Sequence, residues 1–229
     1  MTQRHELRWG GFAGLWFIIL AGTAVLAPGQ PPRVTASANE ITTFVSNAQF
    51  ELLASALLWA TAAGLVVWFA AAFAEAIRER EERSDVHMAL LAGSVLIGGA
   101  IFMSASASAV LAYGADTRTA TLTVTMFEGV MVLNTMIGFA AALPLTAAGI
   151  GVLRTHLMPD WLGYLAFVAA SVSVVGAFGI FAQSGSFVPG GPITSYISLA
   201  ASGIFIACAS GFMVREHLPE VASMTAQQT

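Results

Sequence analysis

The chain has 229 residues, of which 57% are hydrophobic and only 10% charged, with a formal net charge of −4. Soluble domains carry about 25% charged and about 45–50% apolar residues, so these numbers exclude an ordinary soluble domain and a disordered chain alike. They leave lipid as the solvent for the apolar surplus, and the negative balance excludes the basic face that a nucleic-acid partner requires.

A membrane-spanning helix needs ~20 mostly apolar residues. Six segments qualify, so the expected fold class is all-α, a polytopic transmembrane bundle of six spans. It forms one domain over residues 1–218, followed by a polar tail at 219–229 that reads as disordered. The first span covers residues 9–27. Arg4 and Arg8 before it and Val25-Leu26-Ala27 at its end resemble a cleaved signal peptide, but Pro28 after that site disfavours processing, and a retained helix is expected. Pro28-Gly29-Gln30-Pro31-Pro32 closes the span. Next, Ser37 and Glu40 fit a capping box, and Ile41, Phe44, Val45 and Ala48 follow at helical spacing. This predicts an amphipathic segment over 38–49 that lies on the membrane surface or caps the bundle, or else continues outward as a projecting helix.

The second span covers 52–77, with Glu75 snorkelling from its end, and the mixed-sign loop Arg78 to Asp85 reads as a solvated helix end. The third covers 87–113 and carries Ala100, Ser104 and Ser108 at four-residue spacing. The fourth covers 124–153, where Pro144 removes a backbone donor and predicts a kink. The fifth covers 161–182 with Ala169, Ser173 and Ala177, and the sixth 194–214 with Leu199, Gly203, Ala207 and Gly211. Helices in lipid associate through small residues and polar contacts, so Ser104, Ser108, Gly203, Ala207 and Gly211 are the expected helix-packing residues.

Arginines set the orientation. Arg4, Arg8, Arg78, Arg80, Arg83, Arg154 and Arg215 fall on one side and Arg33 and Arg118 on the other. The positive-inside rule then places both termini in the cytoplasm and the chain in the plasma (inner) membrane.

Few groups are candidates for chemistry. All nine basic residues are Arg, which excludes a lysine Schiff base and a P-loop. The lone Cys208 offers neither a disulfide nor a thiolate metal centre and reads as a packing residue. His5, His87, His156 and His217 map to the cytoplasmic side with Asp85, Asp160 and Glu216, but no pair has ligand spacing, so no metal and no cofactor are expected. There is no G-x-S-x-G motif and no mid-membrane carboxylate pair, so intramembrane proteolysis is not expected. An ionisable or amide group inside a span is a candidate site by default. Glu51, Glu128, Asn134 and Arg118 map to the outer side and predict a polar pocket in the outer leaflet. Glu128 and Asn134 lie six residues and about 240° apart on one helix, so they do not share a face. The plainer reading of these four is interface residues plus one interhelical amide bond.

The stretch Arg154-Thr155-His156-Leu157-Met158-Pro159-Asp160-Trp161-Leu162-Gly163, after Pro144 and Gly149, resembles an inner loop of the form R-x-x-x-L-P-x-W-L-G. That loop recurs in a six-helix family of bacterial membrane proteins, common in actinobacteria, that is known only as a domain of unknown function. Phe50 to Arg83, with Trp68-Phe69-Ala70-Ala71-Ala72-Phe73 leading into its Arg/Glu loop, resembles the second helix of the same proteins. The likeness runs from about Ala38 to Val214. Met158 stands where Leu is usual and Asp160 where Arg is. The resemblance implies a six-helix bundle in a membrane and assigns no catalytic residue.

The expected function is therefore that of a non-enzymatic membrane protein: an accessory or partner-binding subunit, or a binder of lipid or a small hydrophobic ligand. The expected partners are membrane lipids and another membrane protein or a second copy. A small transporter or channel is the alternative, motivated by Asn134, Pro144 and the third-span serines. An enzyme acting on lipid at the outer leaflet through Glu51 and Glu128 is a further one.

Overall fold

Long runs of Ala, Leu, Val and Phe without internal breakers favour helix, and lipid demands it, because every backbone polar group there must bond within its own segment. A computed structural model of the chain describes residues 3–81, 84–191 and 193–215. The polar tail, His217, Glu216 and Arg83 lie outside these. Seven α-helices follow in order: α1 Gln3–Leu26, α2 Ala38–Asn47, α3 Gln49–Arg80, α4 Val86–Tyr113, α5 Ala120–Thr155, α6 Asp160–Ala177 and α7 Ser198–Arg215. All but α2 are long and apolar enough to cross a membrane, and no strand occurs among the described residues. The bundle is all-α and membrane-embedded.

The six long helices form a ring in which α1 packs on α3, α3 on α4, α4 on α5, α5 on α6, α6 on α7, and α7 back on α1. At ~1.5 Å rise per residue, the 36 residues of α5 run about 54 Å, well beyond a ~30 Å hydrocarbon core. Its first turns therefore overhang the ring, and α2 lies on that overhang.

The start of α2 is fixed by Ser37, whose Oγ accepts from the Glu40 N–H at 3.3 Å. The helix breaks at Ala48 (φ −100°, ψ 22°) and α3 begins at the next residue, so the amphipathic segment does not project as one continuous helix. Instead it folds over α4 and α5, burying Ile41 and Val45 with Leu111, Phe127 and Val130. α2 is thus the cap at one end of the ring, called here the Pro28 end. The opposite, Arg154 end is filled by a continuous core, where Phe69, Phe73 and Phe205 meet in the middle and Leu90, Leu145, Val152 and Leu162 close around them.

Close helix crossings sit where glycine makes room. Pro144 is buried inside an unbroken α5, and its ring rests on Gly93 of α4: a Cβ at Gly93 would stand 2.8 Å from the proline Cδ. On α1, a Cβ at Gly11 would stand 2.9 Å from Val214 and 3.1 Å from Met213 of α7, and one at Gly14 would collide with the Ser210 hydroxyl and with Phe69 of α3.

This corrects the expected role of the α7 ridge. Gly203 and Gly211 have nothing within 4 Å of where a Cβ would be, and Ala207 between them is half-buried outside the main core. The face that α7 turns inward is instead Phe205, Ile206, Ala209, Ser210 and Met213. The reason is physical. A helix in lipid is apolar all round, so the spacing of its small residues does not reveal which side meets protein. The glycines that close the ring lie on α1.

The loops at the Arg154 end are tied by charge and backbone caps. Glu75 holds Arg78 through a bond of 2.9 Å, and Arg80 Nη1 donates to the His156 carbonyl at 3.2 Å. His156 ends α5 in the left-handed region (φ 47°), with its Nδ1 3.0 Å from Asp160 Oδ1.

Candidate functional site: a cavity in the capped half of the ring

Between the α2 cap and the phenylalanine core the ring is hollow. The cavity measures about 260 Å³ and takes its walls from all six long helices. Small-molecule pockets run from ~300 Å³ upward, so this one has room for the end of a small ligand or a chain rather than for a large cofactor. Val66, Ile97, Ala141 and Ile206 line its floor, and Phe44 of α2 lines its roof, edge-on to Phe127 at 6.4 Å and 75°.

Large apolar side chains, among them Phe17, Trp59, Ile101 and Phe127, share the lining with small and hydroxylated ones. Several serine and threonine hydroxyls of the lining bond to their own helix, as is usual in a membrane helix. Ser108 Oγ donates to the Ser104 carbonyl at 3.0 Å and Thr135 Oγ1 to the Met131 carbonyl at 2.8 Å. Others join neighbouring helices: Ser55 Oγ donates to the Ala24 carbonyl at 2.7 Å, and Ser173 Oγ lies 3.4 Å from Ser202 Oγ.

Asn134 is the polar centre. Ser104 Oγ on α4 donates to its Oδ1 at 2.5 Å, a side-chain hydrogen bond between helices. Val130, Thr135 and Ala141, which line the same cavity from α5, are buried, whereas Asn134 is exposed. Among the described residues it is the one side-chain amide on the cavity lining. The amide nitrogen has no protein acceptor among the described residues, so its two donors are available inside an apolar chamber.

The other sequence-predicted residues lie elsewhere. Glu51, in the first turn of α3, and Glu128 on α5 are exposed, and neither lines the cavity. Arg118 Nη1 donates to the Leu111 carbonyl at 3.1 Å, and its guanidinium covers Gly114, so it caps the end of α4. The four-residue pocket expected from sequence is thus not assembled: only Asn134 stands in the cavity, together with Ser104 and Ser108. Trp59 and Ser202, which the sequence does not single out, and Ser173 are also on the lining. The signal for Ser173 was present in the Ala169–Ser173–Ala177 spacing.

Among the described residues, no Asp, Glu, Arg or His lines the chamber, and no three His, Cys, Asp or Glu side chains converge on one point. A neutral amide, hydroxyls and one indole in an apolar enclosure offer a ligand shape and hydrogen bonds. Compared with protein-family models, with curated proteins and with solved structures, the chain matches none.

Proposed function

We propose that this is a non-enzymatic membrane protein that holds a lipid chain or another small hydrophobic ligand in the ring cavity. The observation that carries the reading is the open Asn134 amide in a chamber whose lining is otherwise hydroxylated or apolar. In this reading, the arginine asymmetry places the Arg154 end and both termini in the cytoplasm of a plasma-membrane protein. The cavity then lies in the outer half of the bilayer, under a surface cap made by α2. Purification from native membranes followed by mass spectrometry of extracted small molecules tests it. A bound amphiphile that is lost in Ala105→Phe, which fills the chamber, is the expected result. A protein that carries no small molecule and is indifferent to Ala105→Phe would overturn it.

The polar strip of Ser104, Ser108 and Asn134 along one side of the chamber favours a second reading, a small transporter seen with its Arg154 side shut. Cysteine accessibility scanning from Ala100 to Ser108 separates the two. Transport predicts water-dependent labelling at Ser104 and Ser108, and uniform non-reactivity removes it.

A further inference from the structure

The ring has one joint that does not close along its whole length. Gly11 and Gly14 hold α1 against Ser210, Met213 and Val214 of α7. Gly22 lies eleven residues after Gly11, three turns along and only about 20° round the helix. It presents the same face, yet nothing lies within 4 Å of a Cβ built there. Gly203 stands seven residues before Ser210, about 20° off in the same manner, and is equally open.

The splay has a local cause. At this level Ser55 Oγ grips the Ala24 carbonyl and draws the end of α1 toward α3. Ser198 Oγ donates to the Val172 carbonyl at 3.3 Å, and Ser202 meets Ser173, which draws the start of α7 toward α6. The two helices are held to opposite neighbours, and the open positions at Gly22 and Gly203 mark a wedge between them. The cavity lies behind the wedge, with Val25 on the α1 side and Tyr196, Leu199 and Ser202 on the α7 side of its lining. Gly22 and Gly203 both lie within helices apolar enough to span, so the wedge faces hydrocarbon rather than water.

Asn134 restricts what can pass through it. Its Oδ1 is occupied by Ser104, and its free groups are donors. A ligand that satisfies the amide N–H groups therefore brings an acceptor. A charged headgroup entering a chamber without a counter-charge loses its hydration uncompensated.

We infer that the cavity is loaded sideways from the bilayer, through the α1–α7 wedge, with an uncharged amphiphile whose carbonyl-type acceptor meets the Asn134 amide. This rests on the binding reading above and gives it a route and a ligand class.

The test uses the full chain in lipid nanodiscs, with uptake from donor vesicles followed by native mass spectrometry. The probes share a C16 chain: methyl palmitate, hexadecane and palmitate. Methyl palmitate is expected to be retained about five-fold over hexadecane, the worth of one hydrogen bond, and palmitate least. Asn134→Leu removes that preference. Plugging the wedge with Gly22→Phe and Gly203→Phe slows methyl palmitate loading by about ten-fold or more, since access limits association. Gly64→Phe on α3, equally open in the structure, leaves loading unchanged. Retention of ester and alkane to the same extent in the unmodified protein overturns the ligand class, without any variant. Loading at the original rate through the plugged wedge overturns the route. If no probe and no native lipid is retained by any form, the binding reading itself fails, which is a separate outcome from these two.

Discussion

At the Arg154 end, Phe69, Phe73 and Phe205 meet across the middle of the ring. Toward the Pro28 end the inward positions of the same helices include Ser55 on α3, Ser104 and Ser108 on α4, and Ser202 on α7. Helix identity and lipid surroundings are common to both halves, and what separates them is that hydroxyls and the Asn134 amide interrupt the apolar lining of the hollow one. In water a hollow of this kind loses packing contacts and buried apolar area together. In lipid the hydrophobic drive between helices is absent, and the hollow half is held instead by a few polar bonds between neighbours, the Ser104–Asn134 bond foremost. One half thus supplies stability and the other supplies space.

That contrast can be broken most directly at its two extremes. Phe73 is fully buried at the ring centre, and Phe73→Ala should cost about 3–5 kcal/mol, read as a large fall in the thermal midpoint of the detergent-solubilised protein. Ala105→Phe enters free volume, so its midpoint should stay close to that of the parent while ligand retention disappears. Equal destabilisation by both would mean the capped half is as tightly packed as the other. A finer comparison lies along the α1–α7 seam. Gly14→Val drives a side chain into Ser210 and Phe69 and should cost about 1–3 kcal/mol. Gly22→Ala, on the open part of the same helix, should leave stability unchanged or raise it by up to ~1 kcal/mol through helix propensity. The smallest effect concerns the polar bond itself. Ser104→Ala should cost about 0.6 kcal/mol, the usual worth of a hydrogen bond between membrane helices, and should weaken ligand retention more visibly than stability. A cost of several kcal/mol there would make the bond structural first.

Much of the architecture could be read in the sequence because lipid imposes length and apolarity on each span. Local chemistry was legible wherever a residue acts on its own backbone, as Ser37 does in capping α2. Asn134 stood out because an amide in the middle of a span has few uses other than bonding another helix or a ligand. What could not be read is which way each helix faces. Amphipathic contrast marks α2, which meets water, but the spanning helices are apolar toward protein and toward lipid, so the small residues of α7 and α1 look alike on paper. Gly10, Gly11 and Gly14 carry the seam and Gly203 and Gly211 do not, and only the packing distinguishes them. Likewise Glu128 and Arg118 share a side of the membrane with Asn134 in any topology, but their neighbours turn them outward and onto a helix end.

The order of helices round the ring has a mechanical side. Five of its six joints are bridged by a connecting segment of chain, and the sixth, between α1 and α7, unites the first and last described helices with no segment across it. It is a split ring, and the split is the one place where two staves can part without stretching a loop. Ser210 against Gly14 forms the fulcrum. Leu199 lies eleven residues from it, so at ~1.5 Å per residue a tilt of α7 by about 10° would carry Leu199 roughly 3 Å. That is close to the half-width of an alkyl chain, obtained while the phenylalanine end of the barrel stays clamped.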